Sequence, residues 1–315
     1  MPLIGTRRFP KGPSLKYPEA HQFNASGTQI RFMALRHNDS SIRPIADYEG
    51  VINLYEEALF KRFDEDEIAE PGSLGLLLKY WEFTGIPVLD GTGELGDMRL
   101  AVSIESMAEF SSLFRPRRLE CAIERFIYIS SDAYRLSGEC RMNWRVVTIN
   151  GNVWVNYQST GYAGFRNAEE CYESVWHTPI SDQHLLTVRF DQVIRKKRTR
   201  LAEAYQTIID KVMNSFEVKL SPDAQAQQRV AKENYPHETL SESLPPYEFE
   251  EVELLERLEL INLVSEENNH DFSIPDDVFE ARVQQKNRNQ QQLAKEIKER
   301  TLASHLRFKT TELKP

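Results

Sequence analysis

Cysteine is scarce in this chain: Cys121, Cys140 and Cys171 are scattered over 315 positions. An odd, widely spaced set gives no disulfide framework and suits a reducing compartment. Long apolar runs are missing as well. No stretch reaches the roughly 20 apolar residues that a membrane-crossing helix needs, and the opening MPLIGTRRFPKGPSLKYPEA lacks an apolar core of secretory length. These absences predict a cytoplasmic protein with no membrane partner. Positive charge is in deficit, with 39 Lys and Arg against 48 Asp and Glu and a net charge of −9. A sequence-independent grip on a phosphate backbone is therefore not expected of the molecule as a whole, and the expected partner is basic rather than a nucleic acid.

Catalytic motifs are thin too. No Ser sits in a G-x-S-x-G elbow and no G-x-x-x-x-G-K-[ST] loop occurs. Gly91, Gly93 and Gly96 do spell G-x-G-x-x-G. A dinucleotide fingerprint needs a helix after its glycines, because the helix N-terminus meets the pyrophosphate. Here DMRLAVSIES follows and alternates like a strand, and Glu94 would place a like charge near the phosphates. The stretch reads as a loop that leaves a helix at Gly85 and Pro87 and enters a strand, so no cofactor is expected. Cys171, His177 and His184 could ligate a metal, yet their spacing matches neither structural zinc pairs nor histidines one helical turn apart, and no metal is expected. The carboxylate pairs Asp276-Asp277 and Glu250-Glu251 lie in hydrophilic stretches and read as solvated faces. The basic run RKKRTR over residues 195–200 reads as a solvated connection.

Against these absences, a hydrophobic content of 40% with four Trp is enough for a sizeable core. Residues 1–27 read as an N-terminal arm, 28–218 as an α+β domain with a largely antiparallel sheet and packed helices, 219–247 as a linker, and 248–315 as a helical C-terminal region. Strands are expected over residues 29–35, 98–104 and 185–194, and helices over 47–63, 73–84, 168–176 and 199–216, with a short helical piece over 107–114. Residues 119–130 fit either a helix or a strand. The strongest local signal is WRVVTINGNVWVNY, whose Asn150-Gly151 pair is the preferred type I′ turn. Counting outward from it pairs Trp144 with Tyr157, Val146 with Val155 and Thr148 with Val153, and these define the expected core face. In the last region, Ser273, Pro275 and Asp276 form a helix-start pattern.

The acidic run Asp64, Glu65, Asp66 and Glu67, and the glutamates from Glu248 to Glu259, offer a landing surface for a basic protein. Tyr55 and Trp154 are the candidate aromatic anchors. The stretches YEGVINLYEEALFKRF, LLLKYWEFTGIP and VWVNYQSTGYAG resemble cytoplasmic immunity proteins that neutralise restriction-endonuclease-like nuclease toxins of bacterial type VI secretion, over residues 28–218. That resemblance implies a non-enzymatic inhibitor whose partner is a cognate toxin, a basic nuclease. The competing readings are an enzyme with a dispersed, metal-assisted site around Cys171, His177 and His184, and an adaptor that pairs through its C-terminal helices.

Overall fold

The computed structural model describes residues 5–38, 47–60, 72–86, 93–108, 110, 112–132, 139–160, 170–196 and 199–248. The chain divides after Glu248 into two units, and the first is the one described. The helices expected beyond residue 248 lie outside the described residues.

Strands β1 (Glu19–Ala25), β2 (Thr28–Ala34) and β3 (Val51–Ile52) come first, followed by the long β4 (Gly72–Thr84) and β5 (Glu94–Ser106). Helix α1 (Pro116–Asp132) leads to β6 (Glu139–Cys140), β7 (Met142–Ile149), β8 (Asn152–Thr160), β9 (Glu170–Ser181) and β10 (His184–Ile194). Helix α2 (Leu201–Met213), β11 (Glu217–Lys219), α3 (Pro222–Asn234) and β12 (Tyr247–Glu248) follow. The larger sheet has the order β4-β5-β10-β9-β8-β7 and is antiparallel throughout. The smaller sheet, β11-β2-β1-β3, is antiparallel except where β3 runs parallel to β1. Among the described residues this is an α+β architecture with largely antiparallel pairing.

Alternation builds the core. Leu100, Val102 and Ile104 of β5 and Leu186, Val188 and Phe190 of β10 share one cluster with Ile30 and Phe32 of the small sheet. Tyr205, Ile208 and Val212 of α2 join it at helical spacing. Burying side chains of this size contributes roughly 1.5–3 kcal/mol each. On the other face of the large sheet, α1 buries Leu119, Ala122, Ile123 and Phe126, and the Phe126 ring centroid lies 4.8 Å from that of His177. The ambiguous stretch 119–130 is thus a helix.

Several expectations fail, each for a physical reason. Residues 73–84 are strand β4, not a helix. A register shift between Gly75 and Leu77 moves the buried set from Leu74 and Leu76 to Leu77, Trp81 and Phe83, so the strand mimics a helical stripe. Residues 47–60 form β3 and a short 3₁₀ turn, Glu57–Leu59, rather than a helix. Ser26 holds this segment: its N–H donates to Ile52 O, and its Oγ accepts from Leu54 N–H. The described residues of 107–114 form a turn, closed by Phe110 N–H donating to Met107 O, and no helix. From Glu170 onward the expected short helix is strand β9, buried on both faces and therefore without alternation. Strand β1 begins inside the expected arm, and the stretch read as a linker holds α3. There Ser221 caps the helix by accepting from Ala224 N–H.

The hairpin forms as expected, with φ of 47° at Asn150 and 83° at Gly151. Val146 pairs with Val155 and Thr148 with Val153, while an irregularity between Met142 and Arg145 breaks the pairing expected at Trp144. The main core lies on the other face. Ile149 and Trp154 belong to the central cluster with Val147 against it, whereas Val153 is 43% exposed. Strand β8 buries Val155 and Tyr157 as well, so both faces are covered and the apolar count misleads. Asn150 and Asn152 also close the outer edge of the small sheet, donating to Phe216 O and Val218 O, each at 2.8 Å.

Candidate functional site

Strand β3 lies at an edge of the small sheet, and the chain there alternates. Ile52 and Leu54 point into the core, while Val51 (72% exposed) and Tyr55 (64%) face outward. Exposed Glu49 and Glu56 flank them. Below this surface His184 supports the aromatic layer, with Tyr55 edge-on at 6.5 Å and Phe60 at 5.2 Å between ring centroids. Tyr55 thus has the exposure that an anchor needs. The acidic residues Asp64, Glu65, Asp66 and Glu67 continue the same stretch of sequence but lie outside the described residues.

Trp154 is not an anchor. It is fully buried in the central cluster, with Phe216 edge-on at 5.5 Å, so no partner can reach it in this fold. The sequence places it between the polar residues Asn152 and Asn156, which gives its face the look of a surface. Asn156 is itself buried, donating to Val175 O at 2.9 Å.

Cys171, His177 and His184 are held apart. Cys171 and His177 lie on β9 six positions apart, about 20 Å along a strand. His177 pairs across to Thr187 on the α1-covered face, whereas His184 packs with Tyr55 and Phe60 beside the small sheet. Each histidine has structural partners: His177 meets Thr187 Oγ1 at 3.0 Å and the Tyr157 hydroxyl at 3.4 Å, and His184 meets Ser181 Oγ at 2.8 Å. Burial pushes the pKa of His177 down to about 3 and that of His184 to about 4. Burial also raises the Cys171 thiol, away from the thiolate that a ligand or nucleophile needs. Among the described residues no group of three or more His, Cys, Asp or Glu is placed to hold a metal.

A set of ionisable residues on the central strands escaped the sequence reading. Arg99 pairs with Asp191, and Arg189 Nε lies 3.7 Å from Glu173 and 3.6 Å from Asp191. Glu105 is fully buried, and Ser103 Oγ donates to it at 2.5 Å. Burial raises the Glu105 pKa above the usual carboxylate value, against its serine hydrogen bonds and the charge of Arg189. These residues occupy alternate positions of β5 and β10, with Glu173 on the neighbouring β9, and alternation alone assigns such positions to solvent. Pairing of opposite charges is what allows them inside.

The glycine stretch is a hairpin connection between β4 and β5, not an exit from a helix. Gly85 N–H donates to Gly93 O at 2.6 Å, and Gly93 has a φ of 85° that favours glycine. Gly96 is required by packing. A Cβ there would lie 2.2 Å from Val193 O and 2.6 Å from the Tyr205 hydroxyl.

No protein-family model matches the chain, and no match is found among curated proteins. Among solved structures, a cyanobacterial PsbP (CyanoP) from Synechocystis sp. PCC 6803 is similar at 15% identity and a TM-score of 0.27, over 50% of this chain and 98% of its own. That likeness is too slight to carry a fold or a function across.

Proposed function

We propose that this chain is an immunity protein, a cytoplasmic inhibitor that binds a cognate toxin and masks the basic working surface of a nuclease. The observation that carries the reading is the exposed pair Val51 and Tyr55 on a sheet edge, flanked by Glu49 and Glu56 and followed in sequence by Asp64, Glu65, Asp66 and Glu67. An apolar anchor inside a ring of charge is the usual anatomy of a specific interface. The anchor supplies most of the affinity, and the charges govern association rate and partner choice. Nucleases hold phosphates, so a basic surface is the natural counterpart. The enzyme reading relies on Cys171, His177 and His184, which the strands keep apart, and the helical extension over residues 248–315 stays in the proposal without an assigned role.

Co-expression with the product of the neighbouring gene tests this. A complex that survives gel filtration and protects growth is expected, and Tyr55→Ala should weaken it about tenfold or more, as truncation of an aromatic anchor does. Charge reversal at residues 64–67 should slow association and flatten its salt dependence. A neighbouring product that is not a toxin, or co-expression without protection, overturns the proposal.

A further inference from the structure

We propose that the N-terminal arm and the connection between β10 and α2 together form a binding surface for single-stranded nucleic acid. In the sequence, residues 5–16 and 195–200 carry nine basic residues and no acidic one. In the fold they meet, since Arg200 N–H donates to Arg7 O at 3.1 Å. The arm is built rather than draped. Thr6 and Phe9 exchange backbone hydrogen bonds of 2.9 and 3.0 Å, which close a turn with Arg7 and Arg8 at its tip. Lys11 and Thr84 exchange two more, each 2.9 Å, and Lys211 Nζ donates to Leu15 O at 2.5 Å. The close seating of Gly5 and Gly12 leaves no room for a Cβ against Thr84 O or the Phe83 ring.

On this frame Arg7, Arg8, Lys11 and Arg200 are exposed and Lys196 is half-buried. Among the described residues, Glu203 lies 3.7 Å from Arg200, and Glu94 and Asp97 pair with Arg195. Among the cations stands Phe9, 60% exposed, with the Arg8 guanidinium 5.7 Å from its ring centroid. Beside it Phe9, Lys11, Leu15, Phe83, Ala204 and Ile208 line a cleft of about 290 Å³. Cations alone would suit any polyanion. A cleft with an aromatic wall among them suits an unstacked base, whose ring lies on Phe9 while its phosphates meet Arg8, Lys196 and Arg200. An anionic membrane would favour a protruding apolar surface, and this one is concave. The net charge of −9 does not oppose such binding, because charges beyond about 8–10 Å are screened at physiological salt. This surface shares no residue with the one around Tyr55, and either proposal can fail alone.

Fluorescence anisotropy of the full chain with a labelled oligothymidylate tests it between about 50 and 200 mM salt. Binding is expected with a slope of log affinity on log salt near −2, about three phosphate contacts at ~0.7 each. Arg8→Glu, Lys196→Glu and Arg200→Glu together should abolish it, and the gentler set Arg8→Gln, Lys196→Gln and Arg200→Gln should flatten the slope. Phe9→Ala should weaken binding about tenfold without changing the slope, and Lys232→Glu, on the exposed side of α3, should leave both unchanged. No binding at the lowest salt, indifference to the triple reversal, or indifference to Phe9→Ala overturns the proposal. So does tighter capture by phosphatidylserine vesicles than by the oligonucleotide, which would make the surface a membrane one.

Discussion

His177 and His184 show how burial can remove a residue from chemistry while making it matter for stability. In the unfolded chain both titrate near 6.5, and in the fold burial lowers them to about 3 and about 4. Between those values and 6.5 the unfolded state binds more protons, so stability is full above pH 6.5 and is lost as pH falls. The loss is expected to reach about 1.4 kcal/mol per pH unit for each histidine. Urea unfolding across this window should show the slope, and His177→Gln should reduce it whatever it does to the absolute stability. Trp154 and Tyr55 separate in the same way. Trp154→Ala, which empties a core position, should cost about 3–5 kcal/mol, whereas Tyr55→Ala should leave stability within about 0.5 kcal/mol. Equal losses would mean that Tyr55 is a core residue and no anchor.

Elements were legible where one period dominated. The Asn150-Gly151 hairpin could be read from its turn chemistry, though not its main core face, and β5 and the stripe of α2 could be read because period and burial agree there. Strand β4 was not. Its bulge places Leu74, Leu77 and Trp81 at helical spacing, and Lys79, buried and donating to Glu19 at 3.1 Å, occupies a position where alternation calls for an apolar residue. Its outer edge is sealed by groups no local pattern reveals: Tyr80 N–H donates to His37 Nδ1, and Glu82 N–H to Asn38 Oδ1. Of the candidate site, Tyr55 was legible as an aromatic in a charged segment. Val51 was not, because nothing in a helix over 47–63 sets it apart from the apolar residues around it, whereas an edge strand turns it outward. Gly96 carries the lesson for the G-x-G-x-x-G spacing: its glycine answers to Tyr205, which donates to Val193 O at 2.8 Å, and not to a phosphate. Gly96→Ala should therefore cost about 1–3 kcal/mol in unfolding measurements, the usual range for overpacking. A neutral substitution would mean that α2 does not press on β5.

At the scale of the whole molecule, charge is sorted rather than spread. The chain is acidic overall, yet in sequence the arm and the β10–α2 connection carry nine basic residues, while Glu49, Glu56 and the run from Asp64 to Glu67 cluster in sequence around Tyr55. Complementary fields of this kind steer encounters, and an apolar centre then decides which encounter lasts. The central claim is that the face around Tyr55 inhibits a basic toxin nuclease. Titration of the neighbouring gene's purified product with this chain, read as nuclease activity, tests it most directly. Activity should fall to zero at one equivalent, and the Tyr55→Ala chain should need a clear excess to do the same. Full nuclease activity in the presence of excess wild-type chain would contradict the claim.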